Sequence, residues 1–82
     1  MTKILNNAIF AGNLQRIRRA SKMTQEQTVA KLQLLGSPIS RSTYSLIEMG
    51  RGNIFVSDLV GLKQIFGVDY DSFFEGIETE RQ

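Results

Sequence analysis

Four polar side chains lie close together within residues 41–49 and could contact a nucleic acid. Ser40 can cap a helix over this stretch, and Gly50 can end it. Tyr44 and Ile47 lie three residues apart and can face inward, which leaves the polar side chains on the outer face. The outer residues are Arg41, Ser42, Thr43 and Ser45. A short helix with small polar residues and an arginine near its exposed N-terminus is typical of a DNA-reading helix.

A second predicted helix precedes this one and would have to support it. Thr24 and Gln27 have the spacing of a capping box, in which side chain and backbone at the first turn bond reciprocally. Apolar residues then recur at helical spacing as far as Leu35. Gly36 and Pro38 end that helix before the polar stretch begins.

Three further helices are predicted outside this central pair. They cover about residues 9–22, 57–66 and 70–76, with Gly67 as a stop and Asp69 as a cap. In the fourth helix the residues expected to face the core are Val56, Leu59, Leu62, Ile65 and Phe66. No stretch has a strand pattern, so the sequence predicts an all-α domain of five helices. We assign residues 1–8 to an N-terminal arm, 9–76 to the domain and 77–82 to a C-terminal tail.

Several short motifs occur in a fixed order along the chain. They are Leu14-x-x-Ile17-Arg18, Met23-Thr24-Gln25-Glu26-Gln27, Ser40-Arg41-Ser42-Thr43, Ile47-Glu48-x-Gly50 and Asn53. Together they resemble the phage-repressor and Cro-type helix-turn-helix family, of the xenobiotic-response-element type, over about residues 9–75. The resemblance implies a compact five-helix DNA-binding domain. The chain departs from the family between Leu32 and Ser40, where about five extra residues lengthen the turn.

The resemblance also implies roles for individual residues. Those expected at DNA are Gln25, Ser40, Arg41, Ser42, Thr43, Ser45, Arg51 and Asn53. Arg41 could bind guanine or a phosphate, and both roles stay open. Leu46 could contact a thymine methyl group or pack, and packing is favoured. Arg18 and Glu48 match an internal ion pair that would fix the angle of the recognition helix.

Charge and composition restrict the partners of this 82-residue chain. Residues 1–63 carry nine Lys or Arg against three acids, a net +6, whereas residues 64–82 carry five acids against one Arg, a net −4. A basic body with an acidic end can orient on a polyanion, although the same charges could serve only to solvate the surface. Without Cys or His, disulfides and the usual zinc sites are excluded, and we expect no metal and no cofactor.

The same observations separate three classes of function. We expect a sequence-specific DNA-binding regulator, a repressor, that acts as a homodimer on a palindromic operator in double-stranded DNA. The alternative is an antitoxin-like or adaptor module that uses the same fold to bind protein. A catalyst is not expected, because no nucleophile–base pair is visible. The polar, basic face of the third helix favours DNA over an apolar partner.

Location and assembly are further expectations. No apolar run has the length of a membrane span, residues 1–13 lack the long apolar region of a signal peptide, and we expect a cytoplasmic protein with no small-molecule ligand. Aromatic and aliphatic residues left over from a single small core would form the dimer contact, or they would close the core of the monomer instead. They are Phe55, Tyr70, Phe74 and Ile77.

Overall fold

The computed structural model describes residues 3–4 and 7–77 of the chain. It contains β1 (Lys3–Ile4), α1 (Ala8–Ala20), α2 (Gln25–Leu34), α3 (Arg41–Glu48), β2 (Ile54–Phe55), α4 (Val56–Phe66) and α5 (Tyr70–Phe74). The described residues are therefore mostly helical, as the all-α prediction requires. No helix in this part of the chain is both long and apolar enough to cross a membrane.

A short pair of strands is the feature that the sequence did not predict. β1 runs antiparallel to β2, with Lys3 opposite Phe55 and Ile4 opposite Ile54. Two residues are too few for an alternating pattern, so no sequence signal could reveal them. The described part of the expected arm is therefore ordered against the loop before α4. Asn7 caps α1 and Ala8 is already helical, so the domain begins before residue 9.

The two central helices begin at the residues that the capping signals indicate. Thr24 Oγ1 accepts from the Gln27 backbone N–H at 3.1 Å, and Gln27 Oε1 accepts from the Thr24 N–H at 2.9 Å. Ser40 Oγ accepts from the Thr43 N–H at 3.1 Å and caps α3 in the same way. These bonds confirm the predicted capping box and the predicted Ser40 cap. They stabilise the helix ends because they satisfy N–H groups that a helix leaves unpaired.

Both ends of α5 differ from the predictions. Asp69 precedes α5 but makes no capping hydrogen bond, and α5 ends at Phe74 instead of Gly76. The C-terminal end of α5 is held by Asn13 of α1, whose amide donates to the carbonyl oxygens of Phe73 and Glu75 at 2.9 and 2.8 Å. A side chain from another helix therefore satisfies carbonyl groups that the end of α5 leaves unpaired.

One core contains residues from all five helices and from β2. Its fully buried side chains are Leu14, Thr28, Leu32, Tyr44, Leu62 and Phe73. α1 packs on α3 and α5, while α2 packs on α3 and α4. The approach of α2 to α4 is close, because a Cβ atom on Gly61 would lie 2.9 Å from Leu32 Cδ2.

The inward face of α4 is only partly the one predicted. Leu59 and Leu62 are buried, and Ile65 and Phe66 pack against the core at half burial. Val56 is 39% exposed, which contradicts its assignment to the core. Asp58 takes the inward position of the first turn and is 5% exposed. The sequence pattern gave no reason to bury a carboxylate there.

The lengthened connection between α2 and α3 is more than a surface corner. Leu34 and Leu35 are exposed, as a surface corner requires, but Ile39 is 7% exposed and belongs to the core. The Gln33 side chain donates to the Ile39 carbonyl oxygen at 2.9 Å and ties the connection back to α2. The extra residues thus add a core side chain immediately before Ser40.

Ile39→Ala should destabilise the domain, whereas Leu34→Ala should not. Truncating a buried isoleucine costs about 2–5 kcal/mol of unfolding free energy, because apolar contacts are lost and a cavity remains. A substitution at an exposed position usually changes the free energy by less than about 0.5 kcal/mol. Urea unfolding of the two variants measures both values. Equal values would contradict the assignment of Ile39 to the core.

Candidate nucleic-acid interface

The N-terminal half of α3 presents the polar surface that the sequence indicated. Arg41, Ser42 and Thr43 are exposed, and Ser45 is half-buried. The hydroxyl groups of Ser40 and Thr43 bond to each other at 3.0 Å. Ser42 lies beside this pair and is exposed. The surface therefore combines hydroxyl groups that bond to each other with an exposed serine.

Leu46 also remains on the outer side of α3. It is 42% exposed, so the favoured expectation that it packs is wrong for much of its surface. The inward positions are filled by Tyr44 and Ile47, which are fully or almost fully buried. Leu46 consequently adds one apolar side chain to an otherwise polar surface.

A buried ion pair sets the position of α3 relative to α1. Arg18 Nε lies 2.7 Å from Glu48 Oε2, and Arg18 Nη2 lies 3.0 Å from Glu48 Oε1. Arg18 Nη1 also donates to the Met23 carbonyl oxygen at 2.9 Å. The side chains of Arg18 and Glu48 are only 10% and 1% exposed. The planar guanidinium and the carboxylate match in two hydrogen bonds, which fixes orientation as well as distance.

The buried pair connects to Arg41 through Gln25, at the start of α2. Gln25 Nε2 donates to Glu48 Oε1 at 3.0 Å, which turns the amide oxygen toward Arg41 Nε at 3.5 Å. Arg41 Nη1 also forms an ion pair with Glu26 Oε1 at 3.1 Å. The structure therefore brings together three residues that the sequence treated separately, namely Gln25, Arg41 and Glu48, and adds Glu26.

The electrostatics of the site favour a charged Glu48. Burial by itself would raise the pKa of Glu48, but the hydrogen bonds from Arg18, together with the nearby Tyr44 hydroxyl and the Gln25 amide, lower it below its ordinary value. The hydrogen bond to Glu48 in turn raises the pKa of Arg18. Burial raises the pKa of Tyr44 above its ordinary value, so its phenol stays neutral. The Tyr44 hydroxyl has no partner of hydrogen-bonding geometry among the described residues.

The loop after α3 carries the other two expected DNA-binding residues. Arg51 and Asn53 are both exposed. Gly50 has φ +75°, and the Arg51 N–H bonds to the Leu46 carbonyl oxygen at 2.9 Å, which closes the helix end. Asn53 lines one recess together with Ser40 and Thr43. The fold therefore gathers these three predicted residues beside the N-terminus of α3.

The four expected dimer residues have different environments. Tyr70 and Phe74 are 40% and 37% exposed, and the Phe74 ring lies 5.6 Å from that of Phe10. Phe55 is half-buried in β2. Ile77 is half-buried against the core, so the described end of the expected tail is part of the monomer. Of these four residues, Tyr70 and Phe74 are therefore the more exposed, although more than half of each side chain is buried.

Sequence reasoning did not assign roles to Asn13, Glu26 or Asp58. Glu26 is recognisable only as an acid in the first turn of α2, a position that the helix dipole favours. Its contact with Arg41 depends on how α2 and α3 pack. No group of three or more His, Cys, Asp or Glu residues that could hold a metal occurs in the described part of the chain.

Comparison with protein-family models, curated proteins and solved structures finds no match to this chain.

Glu48 should make the stability of the fold depend on acid pH. Because its folded-state pKa is depressed, its stabilisation is complete above the ordinary value of 4.5 and is lost as pH falls through the folded-state pKa. We expect Glu48→Gln to lower the unfolding free energy near neutral pH by about 3–5 kcal/mol, because Arg18 is left buried without its counter-charge. The variant should also lose part of the acid-side slope in urea unfolding. The control is Glu75→Gln, at an exposed carboxylate, and a slope for Glu48→Gln equal to that of the control would contradict the prediction.

Proposed function

We propose that this chain is a sequence-specific DNA-binding regulator that acts as a repressor. The observation that carries the proposal is the exposed polar N-terminal half of α3, with Arg41 at its first position and supported from α2. An adaptor would need an apolar surface there, and the exposed apolar side chains of α3, Leu46 and Met49, lie toward its other end. We expect such a regulator to work in the cytoplasm.

α3 would enter the major groove as the recognition helix of a helix-turn-helix. The guanidinium of Arg41 can donate two hydrogen bonds to the O6 and N7 atoms of guanine. Ser42, Thr43 and Ser45 can donate to bases or phosphates with less discrimination. Leu46 is accessible to a thymine methyl group. This division assigns sequence preference chiefly to Arg41.

Gln25, Ser40, Arg51 and Asn53 would position the domain on the DNA backbone. The Gln25 amide carries two N–H donors, and the bond to Glu48 uses one of them, so the other can donate to a phosphate. Gln25 also begins α2, where free backbone N–H groups and the helix dipole favour an anion. Residues 1–63, with a net charge of +6, would strengthen the attraction to the backbone.

The buried pair of Arg18 and Glu48 would serve recognition without touching DNA. Two hydrogen bonds hold the C-terminal end of α3 against α1. Base readout depends on hydrogen-bonding distance, so a recognition helix must keep a fixed angle to the rest of the domain. The pair supplies that constraint from beneath the proposed interface.

A homodimer would double the proposed DNA-contacting surface, which is small in one copy. Two copies related by two-fold symmetry contact half-sites about 34–36 Å apart, which implies a palindromic operator. We place the contact at α5, where Tyr70 and Phe74 are accessible, with Phe55 and Ile77 contributing only their remaining exposed surface. The acidic end of the chain would then lie away from the phosphates.

Arg41→Ala should relax sequence preference, whereas Asn53→Ala should weaken binding to all sequences. Sequences bound by the wild type are first selected from random DNA at a stated salt concentration. Loss of a bidentate contact to guanine should reduce affinity for the selected site by about 1–3 kcal/mol and remove preference at one base pair. The matched control is Arg19→Ala, at an exposed arginine near the end of α1. Failure to select any motif with the wild type would overturn the proposed function. An unchanged motif with a shallower salt dependence would reassign Arg41 to phosphate.

Tyr70→Ser should weaken self-association without unfolding the domain. The side chain is 40% exposed, and the centre of its ring lies 5.2 Å from the Lys63 ammonium group. Its loss should therefore remove accessible apolar surface and leave the fully buried core residues in place. Sedimentation equilibrium over micromolar concentrations, with and without a palindromic site, measures the change, and circular dichroism checks that the helices persist. Leu34→Ser, at a position 87% exposed on α2, is the control. A wild type that is monomeric throughout and binds one half-site as tightly as the palindrome would contradict the dimer.

A further inference from the structure

Glu26 has a contact that its place in the sequence does not explain. Its Oε1 atom lies 3.1 Å from Arg41 Nη1, and the two side chains are 77% and 56% exposed. The first turn of α2 and the first turn of α3 thus share an accessible ion pair at the proposed DNA surface. The helix dipole favours an acid at the start of α2, but a carboxylate there would also repel the phosphates that the surrounding residues are proposed to bind.

The carboxylate oxygen resembles the acceptors that DNA would offer to the same guanidinium. Phosphate oxygens and the O6 and N7 atoms of guanine all accept N–H donors, and a carboxylate does so with similar geometry. Arg41 Nε also lies 3.5 Å from Gln25 Oε1, a long hydrogen bond, and Gln25 is bonded in turn to Glu48. The guanidinium therefore contacts Gln25 weakly on one side, while Glu26 takes one of its other N–H donors.

We propose that Glu26 competes with DNA for Arg41. This inference rests on the proposed function. In the free protein Glu26 accepts from Nη1 of Arg41, so a DNA acceptor that takes the same N–H group must displace it. Glu26 donates no hydrogen bond and makes no favourable contact with DNA itself. Its effect is to lower affinity most for the sites whose binding depends on Arg41.

The cost of this competition falls on the sites that use Arg41. An exposed ion pair changes an equilibrium constant by a factor of only about two to five. A bidentate contact to the correct base is worth a factor of about five to 150. A site with the right guanine therefore still binds, but its affinity is lower by the factor that breaking the ion pair costs. At other sequences Arg41 can stay with Glu26, so the loss of affinity is smaller.

The test compares Glu26→Gln with Glu75→Gln in the 82-residue chain. Both variants remove one carboxylate and preserve side-chain shape, but Glu75 is an exposed residue at the end of α5, in the acidic end of the chain. Fluorescence anisotropy measures Kd for the selected site and for a scrambled duplex of equal length. We expect Glu26→Gln to raise affinity for the selected site about two- to five-fold and for the scrambled duplex by a smaller factor.

A second background separates competition for Arg41 from a general effect of charge. In the Arg41→Ala variant, Glu26→Gln should leave the ratio of the two Kd values unchanged, because the guanidinium for which Glu26 and DNA compete is absent. Urea unfolding of each variant shows whether a loss of helix stability accounts for any change. The ratio of the scrambled-duplex Kd to the selected-site Kd should rise only where Arg41 is present. A ratio that changes equally in both backgrounds, or a result equal to that of Glu75→Gln, would overturn the proposal while leaving the proposed function intact. A wild type that shows no preference for any sequence would overturn both.

Discussion

The buried contact between Arg18 and Glu48 is the interaction on which the rest of the surface depends. Two charges are removed from water with less than about a tenth of either side chain exposed, so each requires the other. Their bidentate geometry joins the end of α1 to the end of α3. The bond from Gln25 extends this constraint to the start of α2. Three helices are thereby held in one relative orientation by a single carboxylate.

This arrangement divides the polar residues into two layers with different physical roles. Arg18 and Glu48 lie beneath the surface, where low exposure makes their pairing strong and their separation costly. Arg41 and Glu26 lie on the surface, where water and salt make pairing weak and exchangeable. Gln25 contacts both layers. A rigid lower layer and an exchangeable upper layer agree with the proposed function, in which the surface keeps its shape while DNA replaces an internal contact of Arg41.

The sequence by itself determined most of the local structure. The start of α2 follows from Thr24 and Gln27, and the start of α3 follows from Ser40, because a cap is satisfied by backbone groups only a few residues away. Gly67, with φ +64°, ends α4 for an equally local reason. The exposed polar residues of α3 also follow from the sequence, since Tyr44 and Ile47 fix which side of that helix faces the core.

The tertiary structure decided what depends on distant parts of the chain. The pairing of β1 with β2 joins segments about fifty residues apart, and Asn13 bonds to the carbonyl groups at the end of α5 across a similar separation. Ile39 is buried because the lengthened connection folds back on α2, which no periodic pattern of its own indicates. The contact of Glu26 with Arg41 exists only because α2 and α3 pack with their first turns together. Hydrophobic spacing determines which face of each helix is buried, whereas helix packing determines which polar side chains meet.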